Sequence, residues 1–265
     1  MFLNNALVLS LEQISDNASR LCYKNIVSAS TITATSFLTE GSITYPPSNM
    51  ANPATAFGWE AADTATQTIT IDNATAAKID YIGIARHNLA QAGLTVEIKF
   101  NGITVEQPQP IGDAQALLFL FEQASPATIE IIIDGATDPA KVAVIYCGES
   151  LRLERNIYVG HTPITYGRDR NMINGVSQAG EWVGEVVLNE TLSTSVSLLN
   201  LTPLWYRQSL DPFFAQKPRK PCFWAWRPSG YPAEIGYCWV EGNPRPVNQL
   251  ANGMMSIDWN FRGIA

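Results

Sequence analysis

The side chains that could do chemistry in this sequence are few and scattered. Isolated carboxylates occur in "GITVEQ" (Glu106), "EWVGEVV" (Glu181 and Glu185) and "WVEGN" (Glu241). Two of them set about 5–10 Å apart across a cleft would suit glycoside hydrolysis. Their spacing along the chain brings no two together, and each reads first as a solvated surface charge. The two histidines, His87 and His161, lie near no cysteine at zinc-ligand spacing. No G-x-S-x-G, H-E-x-x-H, phosphate-binding glycine loop with Lys-Ser/Thr or dinucleotide fingerprint is present. The expectation is a chain with no catalytic residues, metal or cofactor.

Recognition chemistry has one better source, the run "PCFWAWRPSGYPAEIGYCWV" (221–240), which holds Phe223, Trp224, Trp226, Tyr231, Tyr237 and Trp239. It reads as two strands joined by a Pro- and Gly-rich turn. Alternation turns Cys222, Trp224 and Trp226 to one side and Phe223 and Ala225 to the other. In the second strand Ile235, Tyr237 and Trp239 oppose Gly236, Cys238 and Val240. Both faces are apolar, which leaves three readings open: a strand pair packed on each side, a surface buried between copies, or a stacking platform for a ligand. Cys22, Cys147, Cys222 and Cys238 form no C-x-x-C pair and read as buried thiols, with a Cys222–Cys238 disulfide as the lesser alternative.

The elements that position these residues are β-type. "QTITID" (67–72), "LTVEIKF" (94–100), "TIEIII" (128–133) and "KVAVIYC" (141–147) are β-branched runs bounded by turn residues. In "LTVEIKF" the residues Leu94, Val96, Ile98 and Phe100 share a face, the pattern of a half-buried sandwich strand. "NNALVLSLEQI" (4–14) fits a strand or a short helix. "EWVGEVVL" (181–188) and "TLSTSVSLL" (191–199) read as strands joined at Asn189-Glu190, and "TYGRDRNMINGV" as a glycine-flanked loop. A helix is predicted from Thr202 as N-cap and Pro203 at the first position, ended or kinked at Asp211-Pro212.

Composition sets the class. With 265 residues, 46% hydrophobic and only 15% charged, the chain can bury a large core and has little charge to keep copies apart. The net charge of −7 is uneven: residues 1–150 carry 6 Lys/Arg against 15 Asp/Glu (−9), and residues 151–265 carry 11 against 9 (+2). The asymmetry and a change of character near Ser150 predict two domains. An acidic chain with six lysines is a poor nucleic-acid binder. The N-terminus lacks the basic start of a secretory signal, and no apolar run reaches the roughly 18 residues of a membrane span. A soluble protein is expected.

Two stretches carry resemblances. "NPATAFGWEA" with Trp59, "QTITID" ending at Asp72, "AKIDYIGIARHNL" and "LTVEIKFNG" follow one another in an order that resembles the discoidin-like, carbohydrate-binding-module-like jelly roll. This resemblance covers roughly residues 40–150 and places Trp59 in the core. It implies ligand loops at one end, here "TEGSITYPPSNMANP" with Tyr45 and "ARHNLAQAG" with His87 and Asn88. For His87, a solvated or backbone-bonded loop residue is the simpler reading.

The segment "NGVSQAGEWVGEVVLNETLSTSVSLLNLTPLWYRQSLDPFF", then "KPCFWAWRPSGYPAEIGYCWV" and "NQLANGMMSIDWNFRGIA", is similar to distal tail proteins of long-tailed bacteriophages. That resemblance implies a belt-like β-sandwich with one short helix, assembled as a hexameric ring between the tail tube and the tail-tip hub or host-contacting proteins. The better-known members begin with the belt, whereas here the jelly roll comes first, so residues 1–30 are candidates for the belt. The organisation expected is therefore all-β: an N-terminal segment (1–30), a discoidin-like sandwich (31–150) and a belt-like domain (151–265). The role expected is structural, in the tail tip of the virion and made in the host cytoplasm. Host cell-surface glycan is the ligand class. Arg168, Asp169, Arg170, Trp224, Trp226 and Trp239 are the candidate contacts between copies.

Overall fold

The computed structural model describes residues 2–3, 18–135, 137–157, 160–249 and 253–264. The segment "NNALVLSLEQI" lies outside the described residues. The described residues are nearly all β, with one helical segment over 203–214 and three short 3-10 turns. In the first module two five-stranded sheets face each other. The outer sheet runs β10 (Ile103–Pro110), β9 (Thr95–Phe100), β12 (Thr128–Asp134), β7 (Gln67–Asp72) and β3 (Thr31–Ala34). The inner sheet runs β1 (Phe2–Leu3), β11 (Leu117–Ala124), β8 (Ile79–His87), β13 (Lys141–Gly148) and β6 (Trp59–Glu60).

Outer strands alternate as their sequences predict. Val96, Ile98 and Phe100 point into the core with Ile69, Ile71, Ile129, Ile131 and Ile133, while Glu97 and Lys99 point out. Trp59 is buried in that core, its indole N–H donating to the Ser36 carbonyl at 2.8 Å. Inner strands are different. Ile82, Ile84, Phe119 and Ile145 face the sandwich core, but Tyr81, Leu118, Leu120, Val144 and Tyr146 on the same strands turn outward into a second apolar cluster. Such strands must be covered on both sides.

The covering layer is the sheet of the second module. It runs β14 (Leu151–Arg152), β2 (Arg20–Cys22), β17 (Cys222–Ala225), β18 (Ile235–Glu241), β20 (Met255–Ile264), β16 (Trp182–Leu201) and β15 (Arg168–Val176), with β19 (Val247–Asn248) beside β20. The N-terminal segment is thus divided, Phe2–Leu3 in the first module and Arg20–Cys22 in the second.

One face of this sheet presents Cys222, Trp224, Cys238 and Phe261 to Tyr206, Leu210 and Phe213 of the helical segment 203–214. The helix does not stop at Asp211-Pro212. A wider π-type turn spans Tyr206–Leu210, and α-helix resumes over Asp211–Phe214, so the missing N–H of Pro212 falls harmlessly in a first turn. Thr202 holds the N-cap position without a side-chain cap bond; its backbone N–H donates to Glu154 instead.

The opposite face carries Phe223, Ala225, Ile235 and Tyr237, and these meet Tyr81, Leu118 and Tyr146 of the inner sheet. Phe223 lies over Gly83, where an added Cβ would come within 2.6 Å of the ring. Tyr146 and Tyr237 flank Phe223 with ring centres 5.7 and 5.0 Å away. Hydrogen bonds frame the joint: Tyr237 Oη donates to the Pro53 carbonyl (2.7 Å) and Tyr81 Oη to the Lys24 carbonyl (2.6 Å). The aromatic run is therefore apolar on both faces because its sheet is sandwiched, with the helical segment of its own module on one side and the inner sheet of the first module on the other.

The region 168–191 departs from the sequence reading. "TYGRDRNMINGV" forms strand β15 rather than a loop, and β16 is one strand of 20 residues with no turn at Asn189-Glu190. A register shift between the Asn171–Asn189 and Met172–Val187 pairs absorbs the irregularity that suggested a break. Strand β20 pairs with β16 only from Thr191 to Leu201. Beyond Thr191 the two strands continue as a two-stranded arm.

Candidate functional site

A cleft of about 640 Å³ opens at one end of the first module. Its walls are the end of β8 (Arg86, His87), the following turn (Asn88, Gln91), the loop between β10 and β11 (Asp113, Ala114, Gln115) and Lys141 at the start of β13. Arg86 has φ +54°, a left-handed conformation that a non-glycine residue seldom adopts. The residue lies inside β8, between the Val144–Ala85 and Val142–His87 pairs, one residue before the strand ends.

His87 is 8% exposed. Its Nε2 lies 2.9 Å from the Gln115 carbonyl, and the Leu89 N–H donates to Nδ1 at 3.3 Å. The proton is therefore assigned to Nε2, and the ring staples the β8 end to the β10–β11 loop. Burial lowers its pKa, opposed by the Gln115 bond and the nearby Asp113 carboxylate. Asn88 is equally committed: its amide donates to the Pro139 carbonyl (2.9 Å) and its oxygen accepts from Lys141 N (2.8 Å). Both residues build the cleft's walls.

The other lining residues bring the cleft's functional groups. Arg86 and Lys141 supply cationic donors, Gln91 and Gln115 amides, and Asp113 a carboxylate. Asp113 also accepts the Gln115 N–H (3.1 Å), holding the loop, and Lys141 pairs with Glu60 at 2.6 Å on the surface. Donors and acceptors set among apolar lining suit a hydroxyl-rich ligand with apolar faces. Sequence reasoning placed His87 and Asn88 here but missed Asp113 and Gln115, although "IGDAQA" carries a turn signal. Tyr45 does not line the cleft. It follows the hairpin β4 (Thr39–Glu40) and β5 (Ile43–Thr44), with its N–H on the Leu38 carbonyl.

Glu106 sits on edge strand β10, where burial raises its pKa and a Gln109 hydrogen bond opposes the rise. Glu181 and Glu185 are exposed on the arm. Glu241 is at the end of β18, 3.4 Å from Arg262, and lines with Asp169 a second polar cavity of about 360 Å³.

Among the candidate contacts between copies, Trp224 needs correction. Trp224 is fully buried inside its own module, 5.5 Å from Phe261, so it cannot meet a neighbour. Trp226 is half-buried against its own loop, stacked on Tyr231 at 5.6 Å with the Arg227 guanidinium 4.7 Å over its ring. Trp239 is half-buried on the Tyr237 face. Arg168, Asp169 and Arg170 are exposed strand residues, and both arginines pair with Glu190 across the arm's base. All four cysteines are free and buried, with Cys222 and Cys238 directly opposed in register.

No family model matches the chain, and no curated protein does. Solved structures do. The chain is similar to CpGH89CBM32-5 from Clostridium perfringens, in complex with GalNAc-β-1,3-galactose, at 11% identity and TM-score 0.36, over 47% of this chain and 99% of that one. It is similar to chitosan-binding module 1 of a chitosanase/glucanase from Paenibacillus sp. IK-5, at 14% identity and TM-score 0.36, over 47% and 98%. A GH29 fucosidase from Ruminococcus gnavus aligns at 16% identity and TM-score 0.38, over 49% of this chain and 27% of that enzyme. The neighbours of this chain are mainly carbohydrate-binding modules.

Proposed function

We propose that this protein is a binding and assembly subunit, without catalytic activity, in the tail tip of a long-tailed bacteriophage. Several copies form a ring between the tail tube and the tail-tip hub or host-contacting proteins, and the first module takes a host-surface carbohydrate in the cleft lined by Arg86, Asp113 and Lys141. The observation that carries this reading is the welded joint at Phe223, Gly83 and Tyr237. It fixes a cleft-bearing sandwich in one orientation on the second module. A tethered sugar-binding module needs no such joint; an adaptor that must point its cleft in a set direction does.

Cryo-electron microscopy of the virion tail tests the assembly. Six copies about the axis with the first modules outside support it, and absence of the chain from particles overturns it. Sugar binding is tested separately by titrating the full chain with oligosaccharides that include GalNAc-β-1,3-galactose, chitosan fragments and mannuronate. Arg86→Ala is expected to weaken any interaction about tenfold, or about 1.4 kcal/mol. The cleft by itself also favours a second reading, a free carbohydrate-binding protein, which sugar binding without virion attachment would leave standing.

A further inference from the structure

The arm formed by residues 169–190 is the most conspicuous surface outside the cleft. From Thr191 to Trp182 it extends about 30 Å at the rise of a β-strand. Neighbouring cross-strand pairs lie on alternate faces, so Met172–Val187 is on one face and Ile173–Val186 on the other. These four residues and Val176, Trp182, Val183 and Leu188 are 43–71% exposed. They are spread over both faces of the arm, and exposed apolar patches of this kind mark interaction surfaces.

The backbone is as open as the side chains. Strand β15 ends the sheet, and β16 loses its β20 partner beyond Thr191, so among the described residues neither edge of the arm pairs with a further strand. Exposed edges are normally guarded by charge or proline. Here no charged residue or proline occurs from Asn171 to Val176, and Glu185 is the one charge from Trp182 to Leu188. A two-stranded ribbon without a covering layer is marginally stable in water.

We propose that the arm docks on a second copy of this chain, pairing along an open edge and burying one apolar face. A head-to-tail contact between copies requires both complementary surfaces on one chain, and the arm's two edges complement each other by strand pairing. This rests on the reading of the protein as an assembly subunit and names the contact that would make it one.

The test is photo-crosslinking of the full chain carrying p-benzoylphenylalanine at Ile173 or at Val186, which share one face of the arm. The same probe at Ile103, exposed on the outer sheet of the first module, serves as control. Irradiation is done on the purified protein and in cells producing it. The expected result is an adduct of twice the 29.0 kDa chain mass from both arm positions, absent from Ile103. With the probe at Ile173, Val186→Asp, at a solvent-exposed site, is expected to cut its yield about tenfold with the far-ultraviolet spectrum unchanged. Adducts to other polypeptides alone, no adduct, or equal yield from Ile103 would overturn the proposal. A self-adduct from a protein missing from virions would instead remove the tail-tip reading and keep the arm contact.

Discussion

The cleft-wall residues His87 and Asn88 show how polar side chains can shape a site without meeting its ligand. Both nitrogens of His87 are used, one toward Gln115 and one toward Leu89, and protonation would cost the second bond. Because burial depresses its folded pKa, the unfolded chain takes the proton first. The His87 contribution to stability is therefore complete above the ordinary histidine value of about 6.5 and is lost as pH falls toward the lower folded value. The melting temperature of the native protein should fall between pH 7.5 and 5.5, and His87→Gln should flatten part of that slope. His161, also depressed by burial, remains in both proteins and keeps the rest. Asn88→Ala should cost about 1–3 kcal/mol in urea unfolding, because the Lys141 N–H and Pro139 carbonyl lose their partner.

Among the elements, the inner-sheet strands and β17–β18 share one grammar, apolar on both faces and nearly uncharged. The packing that follows is specific where a large residue meets a missing one, Phe223 on Gly83. Gly83→Val should therefore destabilise by about 1–3 kcal/mol through overpacking, since Tyr146 and Tyr237 leave the ring no room to retreat. The arm obeys the opposite rule. Replacing residues 170–190 by an Asn-Gly turn between the paired Asp169 and Thr191 should leave the melting temperature of the dilute protein within about 2 °C, as its apolar side chains are exposed rather than packed on the body. A larger loss would show that the arm supports the fold.

For the whole molecule, the joint predicts cooperative behaviour. Calorimetry should give one unfolding transition for the native chain, because Phe223 and Tyr237 couple the two modules. The double change Phe223→Ala and Tyr237→Ala should split it into two, with the Phe223→Ala change alone costing about 3–5 kcal/mol. The buried place of Trp59 came from the jelly-roll resemblance, while local pattern by itself determined the outer strands, where a two-residue period separates Ile98 from Lys99. It also determined that strands 222–225 and 235–241 were apolar on both faces. Pattern could not say what covers them, since an intramolecular layer and a second copy remove the same apolar area from water. Only the tertiary structure decided that the layer is the chain's own first module, that the arm residues 169–190 remain uncovered, and that Asp113 and Gln115 stand beside Arg86. Those neighbours are distant in sequence, and contacts of that kind are set by how the sheets stack rather than by any period along the chain.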